Sequence, residues 1–161
     1  EIVIIRSTVP TRDVGYLPGD LEEKIQAYEQ PYMLTCDYLF EYSKSYENLK
    51  KLGKIKFLPT SFLRGISFER SIVIVDEAQN MSFQELDTIM TRIGKYSKVI
   101  FCGDMRQSDL IYKRYDVSGF VDFFKIVSNM KNYFTTIKFD TKDIVRSGIV
   151  KSYLKQKEKV L

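Results

Sequence analysis

Histidine is absent from this chain of 161 residues, and cysteine occurs only twice, at Cys36 and Cys102. Without imidazole, and with two thiols far apart, metal binding by a Cys/His cluster is excluded. Isolated thiols suit a reducing compartment, and Cys102, closing an apolar run, reads as a small core residue. No run of about eighteen apolar residues appears and no secretory leader is recognisable, so neither membrane insertion nor secretion is supported. A cytoplasmic location is the expectation. Repeats, low-complexity tracts and linkers long enough to separate domains are also missing. Nor is there a strong excess of one charge. The net charge is +4, from 25 basic and 21 acidic residues, which permits nucleic-acid binding without pointing to it. The length fits one domain, or most of one, with enough chain for a real core.

What the sequence does hold is concentrated between Ser71 and Leu110. The apolar run Ile72-Val73-Ile74-Val75 ends in two acids, Asp76 and Glu77. A second run, Val99-Ile100-Phe101-Cys102, ends in Gly103-Asp104, with Gln107 just beyond. Short, dense apolar runs suit strands buried on both faces of a parallel sheet. In such sheets ligands bind beyond the carboxyl ends of the strands. Two strand ends that both deliver acid and amide groups read as a phosphate-and-magnesium site.

The residue types fit that chemistry. Mg²⁺ prefers oxygen ligands and is held by one or two carboxylates together with substrate phosphates. In phosphate-loop nucleotide hydrolases an acid at a strand end has that role, which falls here to Asp76. Glu77 is placed to orient or deprotonate the attacking water, and Asp104 and Gln107 to sense the γ-phosphate. The plainer alternative is an acid pair that caps the next helix. Ser82-Phe83-Gln84-Glu85 argues against it, being itself a capping box for that helix.

Around this centre, alternating patterns predict an α/β fold with a mostly parallel sheet flanked by helices. Strands are expected at Glu1–Arg6, Lys54–Leu58, Ile72–Val75, Val99–Cys102 and Tyr133–Phe139. Helices are expected from Asp20 to Pro31, then beyond Pro31 with Leu34, Tyr38, Leu39 and Tyr42 on one face. Further helices are expected at Phe83–Ile93, Val117–Met130, with Phe120, Phe123, Phe124 and Val127 inward, and Asp143–Gln156. Thr8–Pro18 is turn-rich, with Pro10, Gly15 and Pro18 against regular structure. Residues 15–53 hold no strand and read as a helical insertion. Its aromatics Tyr28, Tyr32, Tyr38, Phe40 and Tyr42 are read as a satellite core, in preference to a platform for a partner.

The order of motifs resembles the PhoH-like family of P-loop ATPases, relatives of the superfamily-one helicases. The matching segments are Arg6-Ser7-Thr8-Val9-Pro10, Gly15-Tyr16-Leu17-Pro18-Gly19-Asp20-Leu21-Glu22-Glu23-Lys24 and Phe62-Leu63-Arg64-Gly65. They continue with Ile74-Val75-Asp76-Glu77-Ala78-Gln79-Asn80, Thr91-Arg92-Ile93-Gly94, Gly103-Asp104-Met105-Arg106-Gln107-Ser108-Asp109-Leu110 and Asp143-Ile144-Val145-Arg146. Each is weak alone, but together in this order they are specific. The resemblance implies a single ATPase domain over residues 1–161 with a RecA-like core, binding ATP and Mg²⁺.

One departure is marked. The family's phosphate loop, G-x-x-x-x-G-K-[ST], is nowhere in the sequence; Gly53-Lys54 and Gly94-Lys95 are followed by Ile55 and Tyr96. In the family that loop precedes the strand that opens this chain, which starts at Glu1 without Met. The expectation is a domain incomplete at its N-terminus, with little or no ATP turnover by this piece alone, since backbone N–H groups and a lysine normally grip the phosphates.

The resemblance also assigns arginines. Arg146 becomes a phosphate-contacting group, in cis or supplied to a neighbouring subunit of a ring, because a permanently charged fork suits a transferring phosphoryl group. A surface ion pair with Asp143 is the equal alternative. Arg92 would couple the nucleotide site to a substrate or subunit, though a cation at a helix end also favours the dipole. Arg6 and Arg64 line a channel or sit in solvent, and the lysines from Lys151 to Lys159 read as a solvated face. The implied function is a Mg²⁺-dependent ATPase coupled to single-stranded RNA or to nucleic-acid remodelling. Two rivals stand beside it: a nucleotide switch for assembly that does not hydrolyse, and an accessory domain of a helicase or nuclease.

Overall fold

A computed structural model describes residues 1–7, 21–104 and 119–160, excepting the side chains of 21–24 and 158–160. Gly15, Gly19 and most of the turn-rich segment after β1 lie outside them, as does Gln107. The described residues fall into two compact units, Glu1–Lys125 and Ile126–Leu161.

In the first unit, four strands form one sheet: β1 (Ile2–Arg6), β2 (Ile55–Pro59), β3 (Ile72–Asp76) and β4 (Lys98–Phe101). Their order is β2-β1-β3-β4 and every pair is parallel. The register sets Arg6 beside both Pro59 and Asp76, and Val75 beside Phe101. All four carboxyl ends therefore open on one edge of the sheet. Parallel neighbours need crossover connections, and α1 (Leu21–Leu39) and α2 (Ser45–Lys51) provide one between β1 and β2.

Side chains alternate between the two faces. Val3, Ile5, Val73 and Val75 are fully buried on one. Ser7, in phase with them, reaches Glu85 of α3 (Phe83–Met90), and Phe101 packs on Phe123 of α4 (Phe120–Asn129) with ring centroids 4.7 Å apart. On the other face Ile4, Ile55 and Phe57 form a cluster with Tyr46 of α2. Against it pack Ile25, Tyr28, Tyr32, Met33 and Cys36 of α1.

Several expectations are corrected. Pro31 does not end the helix: α1 runs through it. Proline in a helix interior removes a backbone donor and costs about 3 kcal/mol. Here Tyr28 before it and Tyr32, Met33 and Cys36 after it are anchored in one cluster, which holds both halves in line. Thr35 Oγ1 also donates to the Pro31 carbonyl at 2.8 Å. The inward face is consequently on a different side of the helix from the expected one. Leu34, Tyr38, Leu39, Phe40 and Tyr42 are exposed, so only Tyr28 and Tyr32 of the predicted aromatics join the satellite core. Cys102 is exposed as well, because it continues the phase of Ile100, on a stretch of sheet face that is open among the described residues.

In the second unit Tyr133–Phe139 is not a strand; Tyr133, Ile137 and Phe139 are exposed, and alternation that pairs with no strand among the described residues gives no ladder. The last helix, α5 (Gly148–Val160), starts later than Asp143. Asp143 instead closes a turn: its Oδ2 accepts from the Asp140 N–H at 2.7 Å. Arg146 thus precedes α5 and is exposed.

Candidate functional site

The site is built where β3 and β4 end. Val73 and Val75 hold β3 in the core, and the strand delivers Asp76, then Glu77, at its carboxyl end. Glu77 has φ 52° and ψ 41°, in the left-handed region that non-glycine residues adopt at a cost of about 1–2 kcal/mol. The backbone is held there from both sides. The Ala78 N–H donates to the Cys102 carbonyl at 2.9 Å and the Asn80 N–H to the Glu77 carbonyl at 2.9 Å. A left-handed acid at a strand end is strain of the kind concentrated at functional sites.

Gln79 ties the two strand ends together. Its side chain is buried, donating from Nε2 to Glu77 Oε2 at 2.5 Å and accepting at Oε1 from the Asp104 N–H at 3.1 Å. Gly103 leaves room for this link: a Cβ there would come within 3.0 Å of Gln79 Oε1. Gln79 thereby links the Glu77 carboxylate to the backbone N–H of Asp104. Gln107 lies outside the described residues.

Asp76 is held from a different direction. Tyr32 of α1 donates its hydroxyl to Asp76 Oδ2 at 2.5 Å. Burial foremost, and the Asp76 carboxylate next, push the Tyr32 phenol well above its ordinary pKa, while nearby Arg6 pulls the other way. The phenol is therefore a hydrogen-bond donor throughout the neutral range. Partial desolvation of the sulfur, and the same carboxylate after it, raise the thiol of the exposed Cys102, which sets it in the field of Asp76.

Asp76 and Glu77 offer hard oxygen donors, and both are partly exposed. Among the described residues no three acidic, histidine or cysteine side chains cluster as a cation cage. A Mg²⁺ site completed by phosphates needs only one or two carboxylates. The donor set fits that cation.

On the face of the sheet that carries Ser7 and α3, the ends of β1 and β2 and helix α3 border a cavity of about 780 Å³. Ser7, Thr60, Ser82, Arg64, Glu85 and Arg92 are among its lining residues. Glu85 organises it: Oε1 accepts from Thr60 Oγ1 at 2.7 Å and Ser7 Oγ at 3.5 Å, and Oε2 from the Ser82 N–H and Oγ, both at 2.8 Å. Arg92 donates from Nη1 to the Ile66 carbonyl at 3.2 Å, while its buried Nε has no acceptor among the described residues. Arg92 thus belongs to this cavity's wall. Arg146 belongs to the second unit.

A family model described as PhoH-like protein matches residues 1–158. The chain belongs to the PhoH-like family. That family is of the P-loop ATPase type. Among curated relatives, Protein PhoH2 of Bacillus subtilis (strain 168) is 37% identical over 116 residues, covering 70% of this chain and 26% of the relative. Protein PhoH of Escherichia coli (strain K12) is 32% identical over 151 residues, 92% of this chain and 42% of the relative. A PhoH-like protein of Bacillus subtilis (strain 168) is 31% identical over 161 residues, 99% of this chain and 49% of the relative. The chain therefore spans between a quarter and a half of the length of these relatives.

Within this PhoH-like chain, three residues carry structural roles that the sequence had not assigned. Gln79 could have been suspected as a polar residue inside an otherwise apolar and acidic segment. Glu85 was legible as a cap but not as the partner of Ser7 and Thr60. Tyr32 had no signal at all, since its partner lies 44 positions away.

Proposed function

We propose that this chain carries the cation- and water-directing residues of a Mg²⁺-dependent ATPase. The observation that carries this reading is the Gln79 bridge, which fixes the carboxylate of Glu77 against the end of β4. A general base must be held in a set geometry to take a proton from water. In this reading Glu77 orients the water for in-line attack on the γ-phosphate of ATP and receives its proton. Asp76 holds Mg²⁺, whose contribution when bound is to neutralise charge on the phosphates. Asp104 and Gln107 respond to the γ-phosphate from the neighbouring strand end. Arg146, exposed ahead of α5, stabilises the transferring phosphoryl group, in its own subunit or in the next one of a ring.

The cavity bordered by the ends of β1 and β2 and by α3 supports coupling to single-stranded RNA. Its hydroxyls and two arginines suit a sugar–phosphate backbone, and Arg92 follows α3, the helix that carries Glu85. Such binding depends steeply on salt.

The test is ATP hydrolysis by the full-length gene product with and without Mg²⁺ and single-stranded RNA, beside Glu77→Gln. Hydrolysis that Mg²⁺ supports and Glu77→Gln abolishes, with nucleotide still bound, upholds the assignment. Nucleotide binding without hydrolysis would instead make the protein a switch for assembly.

A further inference from the structure

We propose that Tyr32 is a positioning residue for Asp76, holding one carboxylate oxygen so that the other is presented to the cation; this rests on the ATPase reading above. Asp76 is the last residue of β3, so its backbone is fixed by the sheet but its side chain has rotamer freedom. The Tyr32 hydroxyl removes that freedom by donating to Oδ2. The donor itself is rigidly placed. The Tyr32 ring packs on Phe57 of β2 with centroids 5.6 Å apart and planes at 35°. It belongs to the cluster that binds α1 and α2 to the sheet, and it reaches Asp76 from across β1, where Arg6 stands in register with the acid. A ligating carboxylate is commonly oriented by such an outer hydrogen bond, and losing it typically weakens the metal 10–100-fold.

Tyr32→Phe removes the hydroxyl and keeps the ring against Phe57. The measurement is Mn²⁺ binding, followed by electron paramagnetic resonance, to the full-length gene product with a non-hydrolysable ATP analogue. Analogue affinity in EDTA and the melting temperature are measured alongside. The expected result is Mn²⁺ binding about tenfold weaker in Tyr32→Phe, with metal-free analogue affinity unchanged. Unchanged or tighter Mn²⁺ binding overturns the inference. Equal losses with and without cation overturn it too, since the tyrosine would then be only structural. If the wild type binds no Mn²⁺ with the analogue, the ATPase reading and this inference both fall. If the wild type binds Mn²⁺ but Glu77→Gln still hydrolyses ATP, the base assignment fails while Tyr32 is still judged by its own titration.

Discussion

Gln79 Nε2 stands 2.5 Å from Glu77 Oε2, a buried amide holding a left-handed acid two residues away. The same amide's oxygen receives the Asp104 N–H, so its two ends are committed to different strands. Replacing Gln79 with Leu keeps the volume and deletes both bonds. Buried hydrogen bonds lost in this way cost about 1–3 kcal/mol. The expected outcome is a modest fall in stability with a far larger fall in kcat, about 100-fold, because the base proposed at Glu77 loses its orientation. Steady-state kinetics beside urea denaturation separates the two effects. Losses in step with each other would make Gln79 a packing residue.

Gly119 has no space for a side chain. A Cβ there would lie 2.0 Å from the Phe83 nitrogen and 2.2 Å from its Cα, at the start of α3. Backbone cannot yield as a side-chain tip can, so Gly119→Ala should destabilise the first unit by about 3 kcal/mol, the upper end of the usual overpacking cost. At Gly103 the nearest atoms are side-chain tips, Gln79 Oε1 and Phe120 Cζ, both at 3.0 Å. Gly103→Ala should then cost only about 1 kcal/mol, yet lower turnover by pressing on Gln79. Chemical denaturation of both variants gives the order.

Glu29 is 6% exposed and its Oε1 accepts from the Tyr46 hydroxyl at 2.5 Å and from Lys50 Nζ at 2.7 Å. The two donors are not equivalent. Tyr46 is buried, whereas the Lys50 side chain is 53% exposed and solvent competes for it. Tyr46→Phe is expected to cost about 1–3 kcal/mol, since a buried carboxylate loses a donor. Lys50→Ala is expected to cost under about 1 kcal/mol. Equilibrium unfolding of the two variants checks the ranking, and a larger cost for Lys50→Ala would reverse it.

The elements of the fold legible in the sequence were those whose cause is local. Ile72–Asp76 announces a buried strand because a parallel strand is apolar on both faces, and the acids at its end follow from where the chain leaves the sheet. The capping box at Ser82 is a contact between residues three apart, and it formed as read. Pro31 misled because a local rule was outweighed by a tertiary one, the common cluster of Tyr28, Tyr32 and Cys36. Tyr133–Phe139 misled for the converse reason, a local pattern with no partner strand among the described residues to satisfy it. In the site, Asp76, Glu77 and Asp104 were legible from their strand ends. The bonds that orient them, from Tyr32 and Gln79, depend on which side chains the sheet register brings together.

Glu85 serves two structures with one carboxylate. Oε2 closes the capping box on Ser82, while Oε1 receives Thr60 and Ser7, which follow β2 and β1. Removing the side chain therefore frees the start of α3 and unties two strand ends from it. A lost cap costs about 1 kcal/mol, and a hydrogen bond to a charged group about 1.5–3 kcal/mol. Glu85→Ala should accordingly cost about 3 kcal/mol, against about 1 kcal/mol for Ser82→Ala, which removes only the hydroxyl. Glu85→Gln keeps an acceptor for Thr60 and a donor-acceptor group near Ser82, and should fall between the two. Thermal and urea unfolding of the three variants tests the order. If Glu85→Ala costs no more than Ser82→Ala, the bonds to Ser7 and Thr60 contribute nothing, and the cavity they border is held by the backbone alone.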